Sequence, residues 1–197
     1  GVQSFDNDLL QKMGRLHKFG TGEEILEKIR YASQHFPSLN VDMIFNFPSQ
    51  TEEILRRDVE MVIASGANQT TFYPLMSSPS VERTLSRTVG DVSYSREARY
   101  YQVLSEELCG SFEPLSSWTF LRRGGGMLDE YIVDGEEYVG IGSGAFSYLG
   151  GVLYVNTFSL KDYDRRIGAG HLPTWAMQRF NPREQMRYRF MMELFGL

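Results

Sequence analysis

The fold class follows from the run Val41-Asp42-Met43-Ile44-Phe45-Asn46-Phe47-Pro48. Most side chains before Pro48 are apolar, and the proline ends the run because it restricts the backbone of the residue before it. This pattern predicts a strand over residues 40–47 that is covered on both faces. Strands of this kind are typical of parallel sheets.

Helices and strands alternate on both sides of this strand. Thr21 and Glu24 form a capping-box pair at the start of one helix, and Ser49 or Thr51 caps the next. Two further strands are predicted, over residues 1–5 and 70–76. This order is what parallel βα units require, and it predicts half of a barrel or half of an open sheet.

Ligands of parallel α/β proteins bind at the carboxyl ends of the strands. In either architecture, therefore, we expect Gln3, Asp42 and residues 73–76 to lie near one another.

The rest of the chain has a different pattern. Residues 77–92 are rich in Ser, Pro, Thr and Arg, which predicts a long surface connection. Short strands and two helices are predicted beyond it, at 95–108, 118–121, 131–133, 138–141, 152–158 and 160–167. We therefore expect an α+β annex on the parallel half.

The predicted organisation has three parts, a half barrel over 1–76, the annex over 77–180 and the start of a helical domain over 181–197. Asn181, Pro182 and Glu184 supply an N-cap, a first-turn proline and a capping-box acid for the last helix. Its apolar stripe runs to the end of the sequence, and residues 1–5 read as a strand already in progress. Both features predict that this sequence is a piece of a longer polypeptide.

Composition narrows the function classes. The 197 residues include 20 basic and 25 acidic side chains, for a net charge of -5. That charge opposes binding to a phosphate backbone, so nucleic acid is not an expected partner. Cys109 is the only cysteine, which excludes an internal disulfide and indicates a reducing, cytoplasmic setting.

Residues 138–160 carry no charged side chain and have the length of a membrane span. Their glycines oppose a helix in lipid, so we expect two buried strands around a glycine turn and no membrane span. Gly140, Gly142 and Ala145 also have the spacing of a dinucleotide-binding loop. Strand-forming residues follow where that loop needs a helix, so we assign no dinucleotide site; the glycines instead favour close approach to a ligand or a neighbouring strand.

Several motifs occur in the order found in a known enzyme family. They are Gly1-Val2-Gln3-Ser4-Phe5, Arg15, the run from Val41 to Thr51, Phe72-Tyr73-Pro74-Leu75 and Gly140-Ile141-Gly142-Ser143-Gly144-Ala145-Phe146-Ser147-Tyr148. On these motifs the chain resembles the oxygen-independent coproporphyrinogen III oxidase family of radical S-adenosylmethionine (radical SAM) enzymes. The resemblance implies an α/β fold, the C-terminal half of a partial (β/α)6 radical-SAM barrel with the α+β annex.

The resemblance also implies a cofactor and a reaction. In the family, a 4Fe-4S cluster cleaves S-adenosylmethionine to a radical that abstracts hydrogen from a tetrapyrrole, and the propionates are decarboxylated oxidatively in heme biosynthesis. By resemblance, the cofactor-binding positions are Gln3, Arg15, Asp42, Pro74 and Phe146. A guanidinium suits the methionyl carboxylate, and a carboxylate accepts from ribose or amine. No catalytic residue is assigned.

The residues by themselves leave simpler roles open. Arg15 also suits a solvated helix position, Asp42 a cap or an ion pair, and Gln3 a strand end. Pro74 and Phe146 also suit plain core positions. Arg122 and Arg123 would fit the propionates of a tetrapyrrole substrate, although exposed arginines at a strand end are the commoner case.

The cluster cannot be held by this chain. It needs a Cys-x3-Cys-x2-Cys loop, and Cys109 stands alone, so the metal ligands are absent. The cluster and its electron donor therefore belong to the full-length protein, an enzyme of the coproporphyrinogen dehydrogenase type by resemblance. We expect the chain alone to be inactive and to self-associate through open strand edges and apolar surface.

The branch of the family is left open by residues 122–137. They lack the His-Asn and Tyr-Trp motif of a heme-carrying branch, and they do not reproduce the corresponding sequence of the oxidase branch. A heme-binding chaperone and an anaerobic heme-degrading relative are therefore alternatives to the oxidase, and a catalytically empty partner module is a further one.

Overall fold

The computed structural model describes residues 1–76, 93–125 and 137–195. The chain forms two compact units, Gly1–Leu128 and Asp129–Leu197. The predicted connection over 77–92 and the predicted strand over 131–133 lie outside the described residues. The three-part organisation expected from the sequence stays a prediction.

The first unit alternates helices and strands. Its elements are α1 Asn7–Lys12, α2 Leu16–Phe19, α3 Gly22–Ser33, β1 Asn40–Phe45, α4 Glu52–Ala64, β2 Gln69–Pro74, α5 Tyr94–Leu108, β3 Phe112–Pro114 and β4 Thr119–Arg122. The strand order is β1-β2-β4-β3, in which β1 and β2 are parallel and the other pairs are antiparallel. The predicted opening strand is reduced to a single parallel bridge between Gln3 and Met43.

Two helices begin where their capping residues predict. Thr21 and Glu24 form the capping box of α3. The hydroxyl of Thr51 accepts a hydrogen bond from the N–H of Ile54 at the start of α4. Ser49 is not the cap, since its hydroxyl instead accepts from Lys12 Nζ at 3.0 Å.

β1 is fully buried on one face only. Val41, Met43 and Phe45 lie in the core, whereas the other face carries the half-buried Asn40, Asp42 and Ile44. The prediction that both faces are covered is therefore wrong. Ile44 lies on the half-buried face, and its apolar side chain made both faces look covered. Asn40 and Asp42 lie on that same face, because side chains alternate along a strand.

The core of the first unit lies between the sheet and its helices. It includes Phe5, Leu10, Val41, Met43, Phe45, Leu55, Val59, Val62, Phe72, Val103, Leu104, Leu108, Phe112 and Phe120. The carboxyl group of Asp58 on α4 is buried beside this core. It accepts hydrogen bonds from Ser4 Oγ at 2.8 Å and Phe5 N at 2.7 Å, which tie the opening residues to α4.

The second unit contains β5 Phe146–Leu149, β6 Val152–Asn156, α6 Leu160–Gly168, β7 Thr174–Arg179 and α7 Pro182–Phe195. The strands are antiparallel in the order β5-β6-β7. Gly150 and Gly151 turn the chain between β5 and β6 with φ of 56° and 71°, values that glycine adopts without strain. Two strands around a glycine turn are thus present, but the first is β5 at Phe146–Leu149 and not the predicted strand over 138–141. Most side chains of the pair are partly buried or exposed, whereas buried strands were expected.

Residues 138–141 do not form the predicted strand. Tyr138 makes an isolated bridge to Tyr148, and its hydroxyl lies 2.6 Å from that of Tyr188 on α7. Gly140 does not continue the ladder, because its N–H donates to Ser147 Oγ at 3.0 Å.

α7 begins with the predicted capping box. Asn181 Oδ1 accepts from the N–H groups of Arg183 and Glu184, and Glu184 Oε2 accepts from Asn181 N. The apolar stripe of the helix is exposed within the described chain, with Met186 at 66 %, Phe190 at 64 % and Leu194 at 50 %.

This stripe predicts concentration-dependent self-association of the 197-residue chain. Light scattering behind a sizing column should give an apparent mass that rises with loading. Phe190→Lys should reduce that rise because it places a charge in the stripe. Tyr31→Lys, which alters an exposed aromatic residue of α3, is the control and should leave it unchanged. A monodisperse monomer at high concentration would contradict this expectation.

None of the helices in the described part of the chain is both long and apolar enough to span a bilayer.

Candidate functional site

The candidate site is built where the opening residues run beside β1. The N–H of Gln3 donates to the carbonyl of Asp42 at 2.9 Å, and the carbonyl of Gln3 accepts from Ile44 N at 2.8 Å. Gln3 has a positive φ of 81°, uncommon for a residue with a side chain. These two backbone bonds hold Gln3 beside Asp42.

Gln3, Arg15 and Asp42 meet around Gly1. A Cβ atom on Gly1 would lie 2.1 Å from Gln3 Nε2 and 3.4 Å from Asp42 Cβ. The guanidinium of Arg15 donates through Nη2 to the carbonyl of Gly1 and lies 4.5 Å from the centre of the Phe19 ring. The structure therefore brings together the three polar residues that the motifs singled out.

The chemistry of this cluster fits an amino-acid ligand. Arg15 Nε is buried and has no hydrogen-bond acceptor among the described residues, an arrangement that a ligand carboxylate would relieve. The side chain of Asp42 is 37 % exposed, so its carboxylate is accessible to an ammonium or hydroxyl donor. These groups fit the methionyl end of S-adenosylmethionine.

Sequence analysis missed three polar residues beside Asp42. Asn40 Nδ2 donates to Asp42 Oδ1 at 2.8 Å, and Thr71 Oγ1 donates to Asn40 Oδ1 at 3.4 Å. The hydroxyls of Thr71 and Thr119 are 3.5 Å apart. Strand alternation could have found Asn40, two residues before Asp42, but Thr71 and Thr119 depend on the register between strands.

Pro74 lies on a different face of the sheet from Asp42. It pairs with Phe45 at the end of β2, whereas Asp42 pairs with Thr71. Because side chains alternate along a strand, Pro74 is on the core-facing side, where it is buried. Its cofactor contact stays a prediction, and it would be made through backbone.

Phe146 belongs to the second unit, at the start of β5. It is 48 % exposed and makes an edge-to-face contact with Phe158, with ring centres 6.5 Å apart. Its cofactor contact also stays a prediction.

The glycine-rich loop before Phe146 is held by residues at the end of β6. Asn156 Nδ2 donates to the carbonyl of Gly142 at 3.0 Å. The carbonyl of Thr157 accepts from Ser143 Oγ at 2.8 Å and from Gly144 N at 3.0 Å. A strand, and not a helix, follows the loop, so the loop does not have the helix N-terminus that a dinucleotide-binding loop needs.

The backbone of Gly140 lies close to a neighbouring strand, as the glycines of this segment predict. A Cβ atom there would lie 2.0 Å from the carbonyl oxygen of Phe146, so only glycine fits without movement.

Arg122 and Arg123 have backbone partners in the structure. Arg122 donates to the carbonyls of Ala67 at 2.7 Å and Ile63 at 2.8 Å, near the end of α4, and its burial lowers the pKa of its guanidinium. Arg123 donates to the carbonyl of Cys109 at 3.1 Å, at the end of α5. These contacts explain both residues as helix-end partners. Their contact with substrate propionates stays a prediction.

The residues of this chain do not fit a 4Fe-4S cluster, which needs three thiolates. Cys109 is exposed, and its thiol donates to the carbonyl of Glu106 at 3.0 Å. Across the described ranges, no group of three or more His, Cys, Asp or Glu side chains is placed to hold a metal ion.

Comparison of sequences found relatives but no matching family model. The heme chaperones HemW of Lactococcus lactis and Bacillus subtilis are 28 % and 26 % identical over 181 and 170 residues, each match covering 83 % of this chain and 44 % of the relative. The chain therefore spans about half the length of these curated relatives. A probable threonylcarbamoyladenosine tRNA methylthiotransferase of Pyrococcus horikoshii is 43 % identical over 63 residues, 31 % of this chain and 14 % of that protein.

Comparison of structures found the radical SAM enzyme coproporphyrinogen III oxidase (HemN) of Escherichia coli. The match has a TM-score of 0.75 and 18 % sequence identity, and it covers 100 % of this chain and 48 % of HemN.

The fold is therefore that of part of HemN, and the predicted α/β class is confirmed. Within that class, the resemblance to the coproporphyrinogen III oxidase family is confirmed by HemN in structure and by the two HemW proteins in sequence.

Proposed function

We propose that this chain is the part of a radical SAM protein that binds the amino-acid and ribose portions of S-adenosylmethionine. The convergence of Gln3, Arg15 and Asp42 around Gly1 supports this proposal, as does Arg15 Nε, which is buried and has no acceptor in the part of the chain that the structure describes. Arg15 would bind the methionyl carboxylate, and Asp42 would accept from the amine or a ribose hydroxyl. Pro74 would contact the cofactor through its backbone.

The full-length protein would also bind a heme-type tetrapyrrole in the cytoplasm, either to carry it or to convert it. The HemW relatives favour heme carriage, since both matches extend over 83 % of this chain. Oxidative decarboxylation of tetrapyrrole propionates is the second candidate, because the fold is shared with HemN. In either case the cluster and the electron donor come from outside these residues. Arg122 and Arg123 are left out of the proposal because the structure gives them helix-end partners.

The cofactor proposal predicts measurable binding of S-adenosylmethionine to the 197-residue chain. Asp42→Asn should weaken that binding about ten-fold, because it removes the charge from an accessible acceptor. Protein-observed NMR titration measures the affinity and shows whether the shifted amides include Gln3 and Ile44.

The control is Arg57→Gln, which removes an exposed arginine that pairs with Glu23 at 3.2 Å. This variant should bind S-adenosylmethionine as the wild type does. Absence of binding by the wild type, or equal binding by Asp42→Asn, would overturn the assignment.

Titration of the full-length protein with heme, alongside an assay for protoporphyrinogen formation, separates the two candidates. Tight heme binding without turnover supports carriage. Turnover of coproporphyrinogen would instead establish the oxidase.

A further inference from the structure

We infer that Asn40 is a positioning residue for Asp42 and that Thr71 and Thr119 hold Asn40 in place from the neighbouring strands. This inference rests on the proposed function, in which Asp42 contacts S-adenosylmethionine. It adds a set of residues that sets the direction from which Asp42 can accept a hydrogen bond.

The strand register places the four side chains on one face of the sheet. Asn40 and Asp42 are two apart on β1, so they point the same way. Asp42 pairs with Thr71 on β2, and Thr71 pairs with Thr119 on β4. Three strands therefore contribute to one row of polar side chains.

Hydrogen bonds link the members of this row. Asn40 Nδ2 donates to Asp42 Oδ1 at 2.8 Å, the shortest contact of the series. Thr71 donates to the other end of the same amide at 3.4 Å, and Thr119 lies 3.5 Å from Thr71. The ionised carboxylate of Asp42 only accepts hydrogen bonds, so it selects the amide orientation that points Nδ2 at it, and Asn40 Oδ1 then accepts from the hydroxyl of Thr71.

Burial makes this row more rigid than a surface network. Thr71 is 1 % exposed and Thr119 is 4 % exposed, so their hydroxyls cannot exchange freely with water partners. The row ends at Asp42, which is 37 % exposed. The buried members therefore support a carboxylate that faces outward.

The hydrogen bond from Asn40 limits which oxygen of Asp42 can accept a hydrogen bond from a ligand. Because Asn40 occupies Oδ1, the remaining acceptor capacity of Asp42 lies mainly on Oδ2, which lies 3.9 Å from the amino group of Gly1. A ligand must bring an N–H or O–H donor to that oxygen. Without Asn40, the carboxylate would rotate among several orientations and lose affinity for a donor in one fixed position.

Neighbouring threonines of β2 supply a matched test. Thr71→Val removes the hydroxyl that bonds Asn40, whereas Thr70→Val removes a buried hydroxyl that donates to the carbonyl of Val41 at 2.9 Å. Thr70 is on the opposite face of the same strand, so its loss should destabilise the chain without reaching Asp42. Thr71→Ser keeps the hydroxyl and is the conservative variant.

The experiment measures the affinity of the 197-residue chain for S-adenosylmethionine and the free energy of unfolding of each variant. Asn40→Ala should weaken binding about ten-fold, and Thr71→Val about three-fold. Thr70→Val and Thr71→Ser should bind as the wild type does. Asn40→Ala should have no further effect in an Asp42→Asn background, because the two residues act as a unit.

The outcomes separate this inference from the proposed function. If the wild type does not bind S-adenosylmethionine, both are overturned. If it binds and Asp42→Asn weakens binding, but Asn40→Ala and Thr71→Val do not, only the role of Asn40 is overturned. An equal loss of affinity in Thr70→Val and Thr71→Val would also overturn it, since general destabilisation would then explain the effect. If Asn40→Ala fails to fold, the threonine variants decide.

Discussion

Replacement of Asp58 by alanine is expected to lower the free energy of unfolding of the first unit by about 3 kcal/mol. The carboxyl group is 1 % exposed and accepts hydrogen bonds from Ser4 Oγ and Phe5 N, both buried donors. Alanine would leave these two donors without an acceptor and open a small cavity beside α4. Ser4 and Phe5 directly follow Gln3, so the variant should also loosen the candidate site.

Denaturant unfolding followed by the fluorescence of Trp118, in a Trp175→Phe background, measures this loss in the first unit. Asp8→Ala is the matched control, because Asp8 is an exposed acid in the first turn of α1. It should change the stability by well under about 1 kcal/mol. A stable Asp58→Ala variant would show that the opening residues are not held through Asp58.

The same carboxyl group makes the stability depend on pH. Burial raises the pKa of Asp58 from 3.8 to about 7, against the opposing effect of the hydrogen bonds from Phe5 and Ser4. Between these values the folded chain holds a proton that the unfolded chain has released. The contribution of Asp58 is therefore fully present below pH 3.8 and is lost as pH rises through about 7.

Asp58→Asn should remove this dependence, because the amide does not titrate and can still accept from Phe5 N. We expect wild-type stability to fall relative to that of Asp58→Asn between pH 5 and pH 7, by up to about 1.4 kcal/mol per pH unit. Parallel curves for the two proteins across this range would show that the carboxyl group is ionised throughout it.

Gly140→Ala is expected to destabilise the second unit by about 1 to 3 kcal/mol. The new Cβ would lie 2.0 Å from the carbonyl oxygen of Phe146, a backbone atom that cannot rotate away. Relief of this clash requires the loop or β5 to move, so the ring of Phe146 should move with it. Thermal unfolding followed by Trp175 fluorescence, in a Trp118→Phe background, measures the loss.

Gly168→Ala is the control for this substitution. Apart from its chain neighbours and the backbone of α6, no heavy atom of the described residues lies within 4 Å of a Cβ atom built on Gly168. Gly168 is the last residue of α6, where alanine is a better helix former. This variant should be neutral or slightly stabilising. Equal stability of Gly140→Ala and Gly168→Ala would contradict the close approach of the loop to β5.

Local signals in the sequence predicted much of the fold correctly. Thr21 with Glu24 and Asn181 with Glu184 mark helix starts at α3 and α7, because a capping box needs only residues within one turn. The glycines at 150 and 151 mark the turn between β5 and β6 for the same reason. Gln3, Arg15 and Asp42 were predicted as cofactor-binding residues from a resemblance in motifs. In the structure they meet around Gly1.

Errors arose where a local pattern was ambiguous. The apolar run of β1 suggested burial on both faces, although Asn40 and Asp42 already alternated with the core residues. Residues 138–141 have strand-forming composition, yet side-chain and loop hydrogen bonds replace the ladder there.

The alternation of helices and strands from α3 to β2, the starts of α3, α4 and α7, the glycine turn and the family resemblance were all predictable from the sequence, since each depends on residues close together or on a recognisable motif. The helices α1 and α2 were not predicted. Tertiary structure alone decided that Asp58 is buried against Ser4, that Arg122 bonds the end of α4, and that Thr71 and Thr119 extend the row from Asp42. These contacts join residues 31 to 59 positions apart. Periodicity reports which face of its own element a residue occupies, whereas strand register and helix packing select the partner that meets it.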